Sequence, residues 1–171
     1  MPQRPTIKRK RRPVEAGEYT DPDLNFEKPV PEDGLERALA EDTVLAMTTA
    51  PFKAVTPKTT VEEVMKEMVR LDIACVVVLD KGKLAGIISE RDVLGRVADA
   101  FAKVRGRPCT EVMTRDPVFV HDTDTVALAL NLMAVGGFRH VPILDVDDKV
   151  VGIIGPRRIL AYLEPHIGAR K

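Results

Sequence analysis

Along this chain the spacing of apolar residues switches between a helical and a strand period, and it does so twice in the same order. In "TTVEEVMKEMVRLD", Val61, Val64, Met65 and Met68 fall at i, i+3, i+4 and i+7. That spacing predicts an amphipathic helix, with Thr59 or Thr60 as its cap. "ACVVVLD" and "KLAGIIS" follow as short β-rich runs joined by "KGK", a hairpin turn or a short loop. "ERDVLGRVADAF" predicts a second helix, and Gly106 and Pro108 in "VRGRPCTE" break the chain.

The order then repeats. "TVALALNLMAVGG" aligns with the first helix, so that Val126 answers Val61 and Met133 answers Met68. "RHVPILD" aligns with "ACVVVLD", and "KVVGIIGPRRILAYL" with "KLAGIISERDVLGRV", which sets Gly152 against Gly86 and Leu160 against Leu94. Even the lead-in recurs, "AMTTAP" against "VMTRDP". Each unit reads strand, helix, strand, strand, helix, and a unit of about 55 residues buries too little core to stand alone. The expected fold is therefore α/β (α+β): two βαββα units packed through their sheets about a pseudo-twofold axis, over residues 44–104 and 109–165.

Ahead of the repeats, residues 1–31 carry six prolines and no hydrophobic period, which predicts an extended, disordered arm. Residues 32–47 follow, with Leu35, Ala38 and Leu39 on one face of an expected leading helix. The 171 residues carry no net charge, but Arg4, Lys8, Arg9, Lys10, Arg11 and Arg12 crowd the first twelve positions. Such a run over residues 4–12 suits nucleic acid or an acidic surface, or is simply a solvated tail. No aromatic residue interleaves it as a stacking platform. No apolar run reaches the roughly 20 residues of a membrane span, and the N-terminus has no secretory pattern. Cys75 and Cys109 fit neither a disulfide framework nor a metal cluster, so a reduced, cytoplasmic protein is expected. No nucleophile–base pair, metal-ligand set or phosphate-binding glycine loop points to catalysis.

The two copies differ most where strand gives way to helix: "GIISERD" at residues 86–92 against "GIIGPRR" at 152–158. Asp92, in the first turn of a helix, offers a carboxylate able to accept two hydrogen bonds side by side, which suits the vicinal hydroxyls of a ribose. Ser89 stands at the turn, to cap the helix or to contact a ligand. Cap and first-turn acid alone also account for the pair. In the second copy Gly155 and Arg158 take their places, and an arginine accepts nothing from a ribose.

The ordered set of segments, found twice, resembles a tandem pair of CBS domains, often called a Bateman module. It covers roughly residues 44–163. The resemblance implies a regulatory module rather than an enzyme, binding AMP, ADP or ATP, or at times S-adenosylmethionine or NAD, between the units. It also implies a homodimer of modules that signals to an effector protein. "GIISERD" fits the family's ribose signature, which implies Asp92 and Ser89 as ribose contacts. The family's habit of completing the site from the other repeat implies Arg139, His140, Arg157 and Arg158 toward phosphates. Ile87, Val55 and Pro142 are implied as walls of the adenine slot. His140, beside an apolar strand, is equally well a structural residue. One nucleotide cleft and one degenerate cleft are expected, without a tightly bound cofactor. The alternative is a dimerisation or adaptor module that works without ligand through its basic arm.

Overall fold

The computed structural model describes residues 34–47, 49 and 51–167, all within one compact unit spanning Pro31–Lys171. The basic arm and its residues 4–12 lie outside the described residues. The first repeat runs β1 (Ala54–Val55), α2 (Val61–Leu71), β2 (Cys75–Asp80) and β3 (Lys83–Ser89), after an opening helix α1 (Gly34–Glu41). Its closing helix is irregular. α3 (Glu90–Asp92) passes into a π-turn at Val93–Val97, a 3-10 turn at Ala98–Ala100 and α4 (Phe101–Val104). β4 (Thr114–Arg115) follows, and then the second repeat: β5 (Val120–His121), α5 (Val126–Gly136), β6 (Val141–Leu144), β7 (Val150–Ile154) and α6 (Pro156–Ile167). No helix among the described residues is long and apolar enough to cross a membrane.

Local chemistry sets these elements. Thr60 caps α2: its hydroxyl accepts from Glu63 N while the Glu63 carboxylate accepts from Thr60 N at 2.8 Å. Thr125 caps α5 in the same way through Leu128 N. The turn between β2 and β3 needs two residues with positive φ, supplied by Lys81 (50°) and Gly82 (83°), as in a type I′ hairpin.

Strand order is β1-β2-β3-β4 in one sheet and β5-β6-β7 in the other. In β2, Val76 and Val78 face the helices of the first core, while Cys75 and Val77 face the other way. There they meet Ile87 and, from the second sheet, Ile153, in a layer that joins the two units. The expected packing through the sheets is thus observed.

The lead-in segments are exchanged, which the sequence pattern does not reveal. β4, immediately ahead of the second repeat, pairs with β3 of the first (Gly86↔Arg115, Ile87↔Thr114). Cys109, Val112 and Met113 belong to the first core. Conversely, Val44 and Met47 are buried in the second core with Val126, Ile143 and Ile154. Val44 N donates to Asp124 O at 2.8 Å, just as Cys109 N donates to Thr59 O at 2.8 Å. The leading helix, expected over 32–47, spans only Gly34–Glu41 and packs on the second repeat. Past its end, the Asp42 carboxylate accepts from Tyr162 on α6 at 2.9 Å, a contact that with burial pushes the tyrosine up to about 12.

The two docked lead-ins press on glycines. A Cβ at Gly86 would stand 2.7 Å from Met113 Sδ and 2.8 Å from Thr114 O, and one at Gly152 would stand 2.6 Å from Thr49 Cβ. Gly86→Ala and Gly152→Ala should each cost about 1–3 kcal/mol by overpacking, read as a lower urea midpoint. Gly95→Ala is the control: its added Cβ meets nothing within 4 Å, and stability there should hold or rise.

Candidate functional site

β3 ends in extended backbone at Ser89, and the chain turns directly into α3, which carries Asp92. Asp92 is 6% exposed, one of two buried polar residues, with Thr49, among the described residues. Its Oδ2 accepts from Ser89 N at 2.9 Å and from Ser89 Oγ at 2.7 Å. Its Oδ1 accepts from Thr114 Oγ1 at 2.7 Å and pairs with Arg96 Nη1 at 3.2 Å. Arg96 reaches there from the π-turn and is itself fixed on the Val112 and Met113 carbonyls, both at 2.8 Å. A carboxylate offers about four acceptor positions, and all are taken. The group expected to stand ready for a ribose is therefore satisfied within the chain. The motif identified an acceptor for hydroxyls; the hydroxyls it holds here belong to Ser89 and Thr114.

In the second copy the same place is held by a cation. Arg158 Nη1 donates to Ile153 O at 2.9 Å and Nη2 to Pro51 O at 2.6 Å, tying the first lead-in to β7. Expected among the phosphate contacts, Arg158 is instead committed to backbone carbonyls, because no carboxylate is there to hold the lead-in. Gly155 has an equally local reason. A Cβ there would stand 3.0 Å from His140 Cδ2, whereas the first copy has the smaller Cys75 opposite Ser89. The imidazole occupies the room of the missing serine side chain.

His140 is half-buried, and desolvation lowers its pKa; nearby Glu90 works in the opposite sense, and Arg139 adds to the lowering. Arg139 is exposed and makes no hydrogen bond or ion pair among the described residues. Arg157 Nη1 stands 3.5 Å from Asp72 Oδ2, a fully solvated contact at the C-cap of α2. Arg91 makes the related contact from the first repeat, donating to Gly137 O at 2.7 Å at the C-cap of α5. Each repeat thus clasps the helix end of the other. Arg91 therefore lies by the turn that carries Arg139 and His140, whereas Arg157 lies by the opposite one. Arg91, Thr114 and Arg96 were not among the expected site residues. The alignment of Arg91 with Arg157 was the one available signal.

Of the expected adenine walls, Ile87 lies in the layer between the sheets and Pro142 is buried on β6. Val55 packs instead with Val61, Val64 and Met68 in the first core. It also touches a surface depression of about 420 Å³ lined by Lys53, Thr56, Thr59 and Glu67, remote in sequence from Asp92. Cys75, buried beneath Asp92, has its thiol pKa raised by desolvation and by that carboxylate, so it is held as the inert thiol.

A family model for the CBS domain matches residues 40–99 and 109–165. An uncharacterized 17.7 kDa protein of Acidianus ambivalens is 34% identical over 125 residues, 72% of this chain and 74% of that one. The chain spans 18% of the length of another relative, the CBS domain-containing protein CBSCBSPB1 of Arabidopsis thaliana, at 33% identity over 58% of this chain. Among solved structures, CBSX2 from Arabidopsis thaliana aligns with a TM-score of 0.63 at 26% identity, over 74% of this chain and 98% of that one. CBSX2 has also been solved in complex with AMP, at 25% identity and a TM-score of 0.59, covering 70% and 92%. The CBS domain pair of protein MJ0100, in complex with 5′-methylthioadenosine and S-adenosyl-L-methionine, aligns at 25% identity and a TM-score of 0.63 over 72% and 96%.

The lowered pKa of His140 sets a direction for acid sensitivity. A histidine whose folded pKa lies below its unfolded value of about 6.5 leaves stability intact above that pH and removes it as the pH falls toward the folded pKa. Between pH 7.5 and 5.5 the protein should therefore lose stability relative to a His140→Gln variant. Paired urea titrations at the two pH values read the difference, in which other titrating groups cancel.

Proposed function

The chain belongs to the CBS-domain family as a tandem pair, and from that premise we propose that it is a regulatory module whose first cleft binds an adenosine-containing nucleotide at Asp92. One observation carries the reading: the Asp92 carboxylate holds two hydroxyls at 2.7 Å, one on each oxygen, the arrangement a vicinal diol would make. The AMP, 5′-methylthioadenosine and S-adenosylmethionine complexes of relatives, all adenosine compounds, point the same way.

In this reading Ser89 and Asp92 meet the ribose, and Ile87 and Pro142 face the base. Arg139, unpaired among the described residues, is a guanidinium for the phosphates, with His140 beside it and Arg91 close by. Arg157 joins only by giving up Asp72, a solvated pair of little strength. Arg158 remains a tie for Pro51, so one ligand binds per chain. The output passes to a partner protein through a change in how two modules pair. Leu94 and Leu160, at equivalent places in the two repeats and 73% and 66% exposed, are apolar contacts a second module would cover.

The filled carboxylate favours a second reading, a dimerisation or adaptor module that needs no ligand, with the basic arm as its contact. Calorimetric titration with AMP, ADP, ATP and S-adenosylmethionine separates the two. One adenosine ligand should bind near one per chain, and Asp92→Ala should abolish it. Absence of binding to about millimolar, roughly −4 kcal/mol, would leave the adaptor reading. Salt-dependent nucleic-acid binding lost on deleting residues 1–13 would then support it.

A further inference from the structure

A ribose that reaches Asp92 finds no unfilled acceptor position, so it binds by exchange. Four donors hold the carboxylate, and they differ in how readily they leave. Ser89 N is fixed by the start of α3. Arg96 is anchored on the Val112 and Met113 carbonyls. Ser89 Oγ lies three residues from Asp92 in the same turn, so its release alters nothing beyond that turn. Thr114 Oγ1 is different: it comes 22 residues along the chain and reaches Asp92 only because β4 is docked on β3. β4 is two residues long and lies at the end of its sheet.

Resting on the nucleotide reading above, we propose that Thr114 is a ligand the protein supplies to its own site: its hydroxyl occupies on Asp92 the place of one ribose hydroxyl, and a nucleotide binds by displacing it. The exchange is hydroxyl for hydroxyl on the same charged acceptor, so it breaks and makes bonds of one kind. Its consequence is mechanical. The displaced hydroxyl belongs to the lead-in of the second repeat, so occupancy of the first cleft loosens the strand that ties the repeats together. Among the described residues the second cleft has no such exchange, because Arg158 holds Pro51 through a main-chain carbonyl. The sensing step is thereby confined to one copy.

The test titrates AMP into the wild type, Thr114→Ser and Thr114→Val, with thermal melts of each. Removing the competing hydroxyl should tighten AMP binding roughly tenfold in Thr114→Val, the scale of one hydrogen bond to a charged group, while Thr114→Ser matches the wild type. Without ligand the valine variant should melt lower. Hydrogen exchange on the wild type needs no variant: AMP should speed exchange at residues 113–116 while raising the global melting temperature. If the wild type binds AMP and Asp92→Ala abolishes it, yet Thr114→Val binds no tighter and exchange at 113–116 slows, the self-ligand is refuted and the sensor reading survives. If the wild type binds no adenosine compound, both fall together.

Discussion

Neither repeat closes its own core. The slot beside β3 is filled by the lead-in of the second repeat, and the slot beside β7 by the lead-in of the first. Gly86 and Gly152 exist to admit those segments at distances no Cβ tolerates. Everything else depends on this exchange. It makes the two sheets share one apolar layer around Val77, Ile87 and Ile153, and it brings Thr114 to Asp92 and Pro51 to Arg158. The order of elements repeats; the chemistry that secures it does not.

That asymmetry explains why a duplicated segment keeps its strand and changes its ending. Both copies need a polar hold on the lead-in of the other. The first copy uses an anion that accepts a side-chain hydroxyl, backed by Arg96 on two main-chain carbonyls, whereas the second has a cation, Arg158, in the anion's place, which donates to the Pro51 carbonyl. The anion is held by side-chain hydroxyls, while the cation is held by main-chain carbonyls. His140 and Gly155 complete the second solution, since the ring takes the volume that the serine holds in the first.

Much of the architecture was legible because its causes are local. Thr60 and Thr125 cap the two helices the apolar spacing marks, and Lys81–Gly82 makes the expected turn. Register between the copies was equally plain, and the structure adds a matching irregularity after Val78 and after Ile143. The exchange of lead-ins was not legible, because the pattern says that Val44 and Val112 are apolar but not which core they enter. The π-turn after Asp92 follows no propensity signal, and from it Arg96 reaches both Asp92 and the Val112 carbonyl. At the site the motif located Asp92 but not its occupants, since Thr114 arrives by strand pairing rather than by sequence proximity.

The crossed lead-ins also set an order of assembly. During synthesis the first repeat is complete once Arg115 has emerged, because its missing strand is the next segment made. Residues 34–49 have a different history. They leave the ribosome ahead of both repeats, yet their place among β5, α5, β7 and α6 does not exist until the second repeat has followed. Among the described core residues Val44 and Met47 are therefore exposed longest, and a segment made ahead of both repeats is the last to be housed.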